Sequence, residues 1–178
     1  MIKLFHIYLF LLIFCFNLNA QKHSHPHSHK HDGLHHWEIP SKDPDRIILT
    51  FNGDPSTKRA VTWRTDLSVE KAEAQIAVAN VNSSFVKEAI TYSASTEEFD
   101  LGLYKSNKSL IVNYHSVVFE NLNPNTLYAY RVGYDKNWSE WIQFKTANDT
   151  YSPTQFVYFG DAQNDILNHW SRVIRMAY

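Results

Sequence analysis

A chain of 178 residues has room for one ordinary domain and part of a second, but not for two of full size. Its 17 basic and 18 acidic residues nearly cancel, which supplies neither the cationic footprint that nucleic acid requires nor a polybasic face for an anionic membrane, so no nucleic-acid and no membrane partner is expected. Aromatic residues make up 15% of the chain and there are only five glycines, a balance that suits a packed β-rich core and argues against a disordered protein.

Residues 1–20 carry one lysine, an apolar run from Leu4 to Phe16 and then Leu18-Asn19-Ala20 before a polar stretch, the anatomy of a signal peptide cleaved after Ala20. The apolar run is shorter than the roughly 20 residues of a spanning helix, which disfavours an uncleaved anchor. The single cysteine, Cys15, lies inside that run behind Phe14, a poor context for lipid attachment. An exported mature chain would therefore have no disulfide and would depend on its core. Secretion, to the extracellular space or a periplasm, is expected.

Residues 21–39 are a polar tether rich in histidine, at 23, 25, 27, 29, 31, 35 and 36. Too little of it is apolar to form a core. Imidazoles at this density bind zinc, copper or nickel loosely, although the spacing fits no fixed tetrahedral site, so metal scavenging and a merely solvated tether are both open readings.

From Pro40 the pattern is that of strands. Ile47, Leu49 and Phe51 alternate, a Gly53-Asp54-Pro55 turn follows, and Val61 and Trp63 mark a second strand with Trp63 in the core. Ala74, Ile76 and Val78 mark a third strand and residues 86–92 a fourth, whereas 93–109 read as a polar loop holding at most a short edge strand. In 114–133, YHSVVFENLNPNTLYAYRVG, two alternating runs (His115, Val117, Phe119; Tyr128, Tyr130, Val132) flank a polar connection. The spacing Leu122-x-Pro124-x-Thr126-x-Tyr128 predicts a tyrosine corner, in which the phenol bonds back to the backbone of the connection. Residues 141–146, WIQFKT, close a set of seven strands, so the fold class is mainly β, a fibronectin type III-like or immunoglobulin-like sandwich over 40–147. Asn82, Asn107, Asn137 and Asn148 begin N-x-Ser/Thr sequons, all placed in loops by this reading.

Residues 148–154 form a linker, after which the pattern changes. Residues 155–159, QFVYF, read as a strand running into Gly160-Asp161, and Asn164 or Asp165 as the cap of a helix with Ile166, Trp170, Val173 and Ala177 on its apolar face. Strand, Gly-Asp, helix is an α/β opening, and ligands in open α/β sheets lie beyond the carboxyl ends of strands. Asp161 is thus a candidate metal ligand, the alternative being a turn-capping aspartate. His169 reads as a helix-surface or packing residue.

Taken in order, AVTWRTD around Trp63, the segment from His115 through LNPNTLYAYRVG, WSEWIQFKTA and FVYFGDAQND resemble the amino-terminal part of a purple acid phosphatase, a family of calcineurin-like metallophosphoesterases. The resemblance covers about residues 40–178. It implies a fibronectin-like domain followed by residues 155–178 as the start of a truncated α/β metallophosphoesterase domain. In the full-length family a binuclear centre of iron with zinc, manganese or iron hydrolyses phosphate monoesters. The two metals lower the pKa of bound water and clamp the attacking and leaving oxygens. Gly160-Asp161 matches the first half of the family's Gly-Asp-x-Gly, with Gln163 in place of the second glycine, and the resemblance assigns Asp161 as metal ligand. The family's later motifs, Gly-Asp-x-x-Tyr, Gly-Asn-His-Glu and Gly-His-x-His, have no counterpart in this sequence, so the centre is not completed by it and no catalytic residue is assigned. Two classes of function follow: a metal-dependent acid phosphatase represented by its opening segment and inactive in this form, or a stand-alone secreted sandwich that binds a partner and carries a metal-binding histidine tract.

Overall fold

The computed structural model describes residues 38–104, 108–162 and 166–177. The signal segment, the histidine tract, Asn107 and the expected cap at Asn164 or Asp165 lie outside them.

Nine strands form among the described residues: β1 (Asp45–Thr50), β2 (Arg59–Thr65), β3 (Glu73–Val78), β4 (Ile90–Ser93), β5 (Ser95–Tyr104), β6 (Lys108–Phe119), β7 (Leu127–Tyr134), β8 (Asn137–Trp138) and β9 (Ile142–Lys145). They build two sheets, β1-β2-β6-β5 and β4-β3-β7-β8, with β9 also paired to β7. Each pairing is antiparallel. The first order is that of the A-B-E-D sheet of an immunoglobulin-type sandwich, and the second extends its C-F-G sheet by one edge strand.

The period-2 patterns decide what faces inward. Val61 and Trp63 of β2 lie opposite Val117 and His115 of β6, and Ala74 and Ile76 of β3 opposite Val132 and Tyr130 of β7. The apolar members of these pairs meet Phe119, Leu122 and Tyr128 in one core. Trp63 is fully buried, as expected. The tyrosine corner is present: the Asn123 amide donates to the Tyr128 hydroxyl at 2.9 Å. Thr146 fastens β9 to the same corner, its hydroxyl donating to the Asn123 carbonyl (2.7 Å) while accepting the Thr126 amide (2.9 Å). Asn125 takes a left-handed φ of 49° there, a conformation asparagine tolerates better than most residues.

Several expectations are corrected. Residues 86–92 are not one strand: Ser83–Glu88 coil into a 3-10 turn because the Asn82 side chain accepts the Ser84 amide, and the strand begins only at Ile90. The loop expected over 93–109 holds instead the ten-residue β5 and the start of β6. Its polar residues lie on an edge strand, where one side of the backbone has no ladder partner and little of the surface is covered. Phe51 falls beyond the end of β1 and is exposed, with the Arg59 guanidinium 4.6 Å above its ring. Val78 ends β3 on the surface. Asn137 is not in a loop but opens β8, a two-residue strand the sequence pattern did not reveal. Residues 155–159 belong to no ladder, so the expected strand is absent: no described strand pairs with them. The helix beyond begins as a π-helical turn, Ile166–Trp170, and continues as α1 (Ser171–Ala177), which buries none of its residues.

Candidate functional site

Asp161 follows the unpaired segment 155–159 and precedes the helical turn. Phe156, Val157 and Tyr158 are exposed before it, and the segment is tied to the helix by Phe159, whose ring meets Trp170 edge-on at 5.2 Å. Gly160 has an ordinary φ, and a Cβ there would meet nothing within 4 Å, so neither conformation nor crowding at this position requires glycine. Asp161 and His169 are both exposed. Among the described residues no three His, Cys, Asp or Glu side chains converge as a metal would need. One carboxylate on an open loop does not fit a binuclear centre, which must hold two cations a few ångströms apart and satisfy both coordination shells.

Two polar constellations lie instead within the sandwich, and sequence reasoning found neither. The first surrounds His115, fully buried on the inner face of β6. Its Nε2 lies 2.8 Å from the Thr65 hydroxyl on β2 and its Nδ1 lies 2.8 Å from the Thr96 hydroxyl on β5. The Trp63 ring is 5.4 Å away, its own buried Nε1 without a hydrogen-bond partner. Burial lowers the His115 pKa to about 4, so the ring is neutral at neutral pH. Alternation does place residue 115 inward, but Thr65 and Thr96 come from strands far off in sequence, and no local spacing signals them.

The second is on the outer face of the other sheet. The Arg131 guanidinium of β7 sits 4.6 Å from the Trp138 ring centroid and 4.7 Å from that of Trp141, while its Nε donates to Gln75 Oε1 at 2.8 Å. Phe85 of the 3-10 turn meets Trp141 edge-on at 5.1 Å. With a tryptophan to each side and its Nε engaged, Arg131 works as a fastener of β7, β8 and the turn rather than as an open anion site. The signal was available in the tryptophans of WSEW, spaced by three just beyond the tight β7–β8 hairpin. Gly133 permits that hairpin, because a Cβ there would lie 2.1 Å from the Asn137 carbonyl oxygen.

No described helix is long and apolar enough to cross a membrane. A family model described as "Purple acid Phosphatase, N-terminal domain" matches residues 44–146, the span from the first strand to the last. No curated protein matches the sequence. Among solved structures the chain is similar to the fn3 domain of human contactin 1, at 18% identity over 66% of this chain and 87% of that one, with a TM-score of 0.42. It is also similar to the FN1-FN3 domains of chicken CNTN1, at 20% identity over 61% of this chain and 31% of that one, with a TM-score of 0.41.

Proposed function

Since the chain belongs to the purple acid phosphatase N-terminal domain family, we propose that it serves metal-dependent hydrolysis of phosphate monoesters outside the cytoplasm, as the non-catalytic sandwich that precedes a metallophosphoesterase unit. In this reading residues 40–147 are scaffold, and Asp161 is one ligand of a binuclear centre of iron with zinc, manganese or iron. The observation that carries it is the family match over 44–146, with Gly160-Asp161 following the end of the sandwich at the place where such a unit would open. The described residues do not fit that centre, since they form no group of three or more His, Cys, Asp or Glu side chains that could hold a metal. No catalytic step is therefore assigned to them. Charge stabilisation in a preorganised site supplies most of the acceleration in such chemistry, and one exposed carboxylate offers little of it.

The test is hydrolysis of a chromogenic phosphate monoester at mildly acid pH, with iron and zinc supplied, by this chain and its Asp161→Asn variant. Both are expected to remain at the background rate. Turnover that disappears with Asp161 would overturn the non-catalytic assignment and require further ligands from a second copy or from the histidine tract.

A further inference from the structure

The hydrogen-bond chain through His115 has a direction. The Thr65 hydroxyl donates to the Asp66 carbonyl at 3.0 Å, so its oxygen is left to accept from the imidazole. Nε2 therefore carries the proton, and the bare Nδ1 accepts from the hydroxyl of Thr96. The chain runs from β5 through β6 to β2 and links three neighbouring strands of one sheet. Strand β5 is the edge of that sheet, and Thr96 lies directly opposite His115 in the ladder. Beyond Asn113, which pairs with the last residue of β2, the β5–β6 ribbon has no third strand paired to it among the described residues. An edge strand of this kind opens at lower free energy than the centre of a sheet.

We propose that His115 is a pH-sensitive latch on β5: the neutral imidazole holds the edge strand shut, and protonation favours a state in which β5 has peeled away from β6 while the rest of the sandwich stays folded. A proton added at Nδ1 meets the hydrogen that Thr96 already presents, so Thr96 must turn, and the new charge is left among buried groups. The charges nearest in sequence do not relieve it. Arg64 points to the opposite face, where Asp45 holds it, and Glu97 and Glu98 of β5 are exposed. The backbone carbonyl of Asp66 is engaged by Thr65, and its carboxylate accepts from Ser68. From the opposing sheet the interior receives Tyr92, Tyr128, Tyr130 and Tyr134, none of which is a carboxylate, and burial pushes the Tyr130 phenol up to about 12. Peeling β5 gives the imidazole water instead of a charged partner.

The sign follows from linkage. A histidine held near 4 when closed and free to titrate near 6.5 when open binds more protons in the open state between those values. Opening then becomes easier as the pH falls from about 6.5 toward 4. Between pH 7.5 and 5.0 these two values correspond to an increase of about 30-fold in the opening constant of β5.

The experiment is amide hydrogen exchange on the full chain at both pH values, with each rate corrected for intrinsic exchange. Residues of β5 should lose protection by about 30-fold while β3 and β7 change little, and His115→Gln should flatten the dependence. Equal loss in β5 and β7, no loss in β5, or an undiminished dependence in His115→Gln would each overturn the latch. If that variant fails to fold, the wild-type ring decides. Nitrogen NMR should find the Nε2–H form and a pKa well below 6.5, and an ordinary titration near 6.5 would refute the proposal.

Discussion

Removing Asp45 should weaken the sandwich by more than a surface carboxylate ordinarily does. Asp45 grips Arg64 with both oxygens, Nε to Oδ1 at 2.8 Å and the terminal nitrogen to Oδ2 at 2.5 Å. The Arg64 side chain is only 1% exposed, whereas that of Asp45 is 37% exposed. The hydrogen bonds to Asp45 are the main reason the Arg64 pKa lies above its ordinary value. In Asp45→Ala the guanidinium keeps its place and its charge but, among the described residues, retains only the Glu38 carbonyl at 3.2 Å. Stripping one partner from a fully buried pair costs about 3–5 kcal/mol. Water can reach the vacated position, because the lost carboxylate was itself partly exposed, which moves the expectation to the lower end, about 3 kcal/mol. Asp45→Asn keeps one acceptor and should cost about half as much. The double variant Asp45→Ala with Arg64→Met removes the stranded charge together with its partner and should recover at least 1 kcal/mol relative to Asp45→Ala alone. Urea unfolding at pH 7, followed by tryptophan fluorescence with the slope checked for constancy, gives all three differences. A loss below about 1 kcal/mol for Asp45→Ala, or a double variant no more stable than Asp45→Ala alone, would refute the claim that the ion pair fastens the first strand.

Three further outcomes follow from the fold. Tyr128→Phe removes the acceptor of the Asn123 amide without opening a cavity and should cost about 1–1.5 kcal/mol in the same unfolding assay, with no change in the slope. Gly133→Ala must displace the Asn137 carbonyl, so the β7–β8 hairpin should shift and take Trp138 off Arg131; a near-ultraviolet dichroism signal from the tryptophans that survives unchanged would contradict this. Limited proteolysis of the full chain should cut first within 148–154 and leave a stable core of about residues 40–147. Equal resistance on both sides of that segment would mean that the region from Tyr151 onward packs on the sandwich.

Alternation was informative wherever one face of a strand is buried and the other is wet. Val61 and Trp63, or Tyr128, Tyr130 and Val132, announce both strand and facing, and the Leu122-Pro124-Tyr128 spacing announces the corner, because each is fixed by residues adjacent in sequence. Strand β5 was missed for the opposite reason: Ser95, Thr96, Glu97 and Glu98 carry no apolar stripe, and what makes them a strand is the ladder supplied by β6. The error at 155–159 is its mirror image. FVYF has the residue types of a buried parallel strand, but a strand exists only where a neighbour accepts its hydrogen bonds, and β-propensity measures fit to a sheet rather than a preference of the isolated backbone. The same distinction governs the chemistry. Asp161 was singled out through the order of four short segments, a long-range pattern, whereas the described residues assemble no group of three potential metal ligands. Alternation placed His115 inward but signalled none of its partners, since they sit 50 residues before it and 19 before it, and only the pairing of β2 and β5 on either side of β6 brings both hydroxyls to one ring. A buried histidine satisfied by two hydroxyls and no carboxylate is held neutral by burial alone. Acid sensitivity in this sandwich is therefore a property of the sheet's topology, which is what buries the ring between β2 and β5.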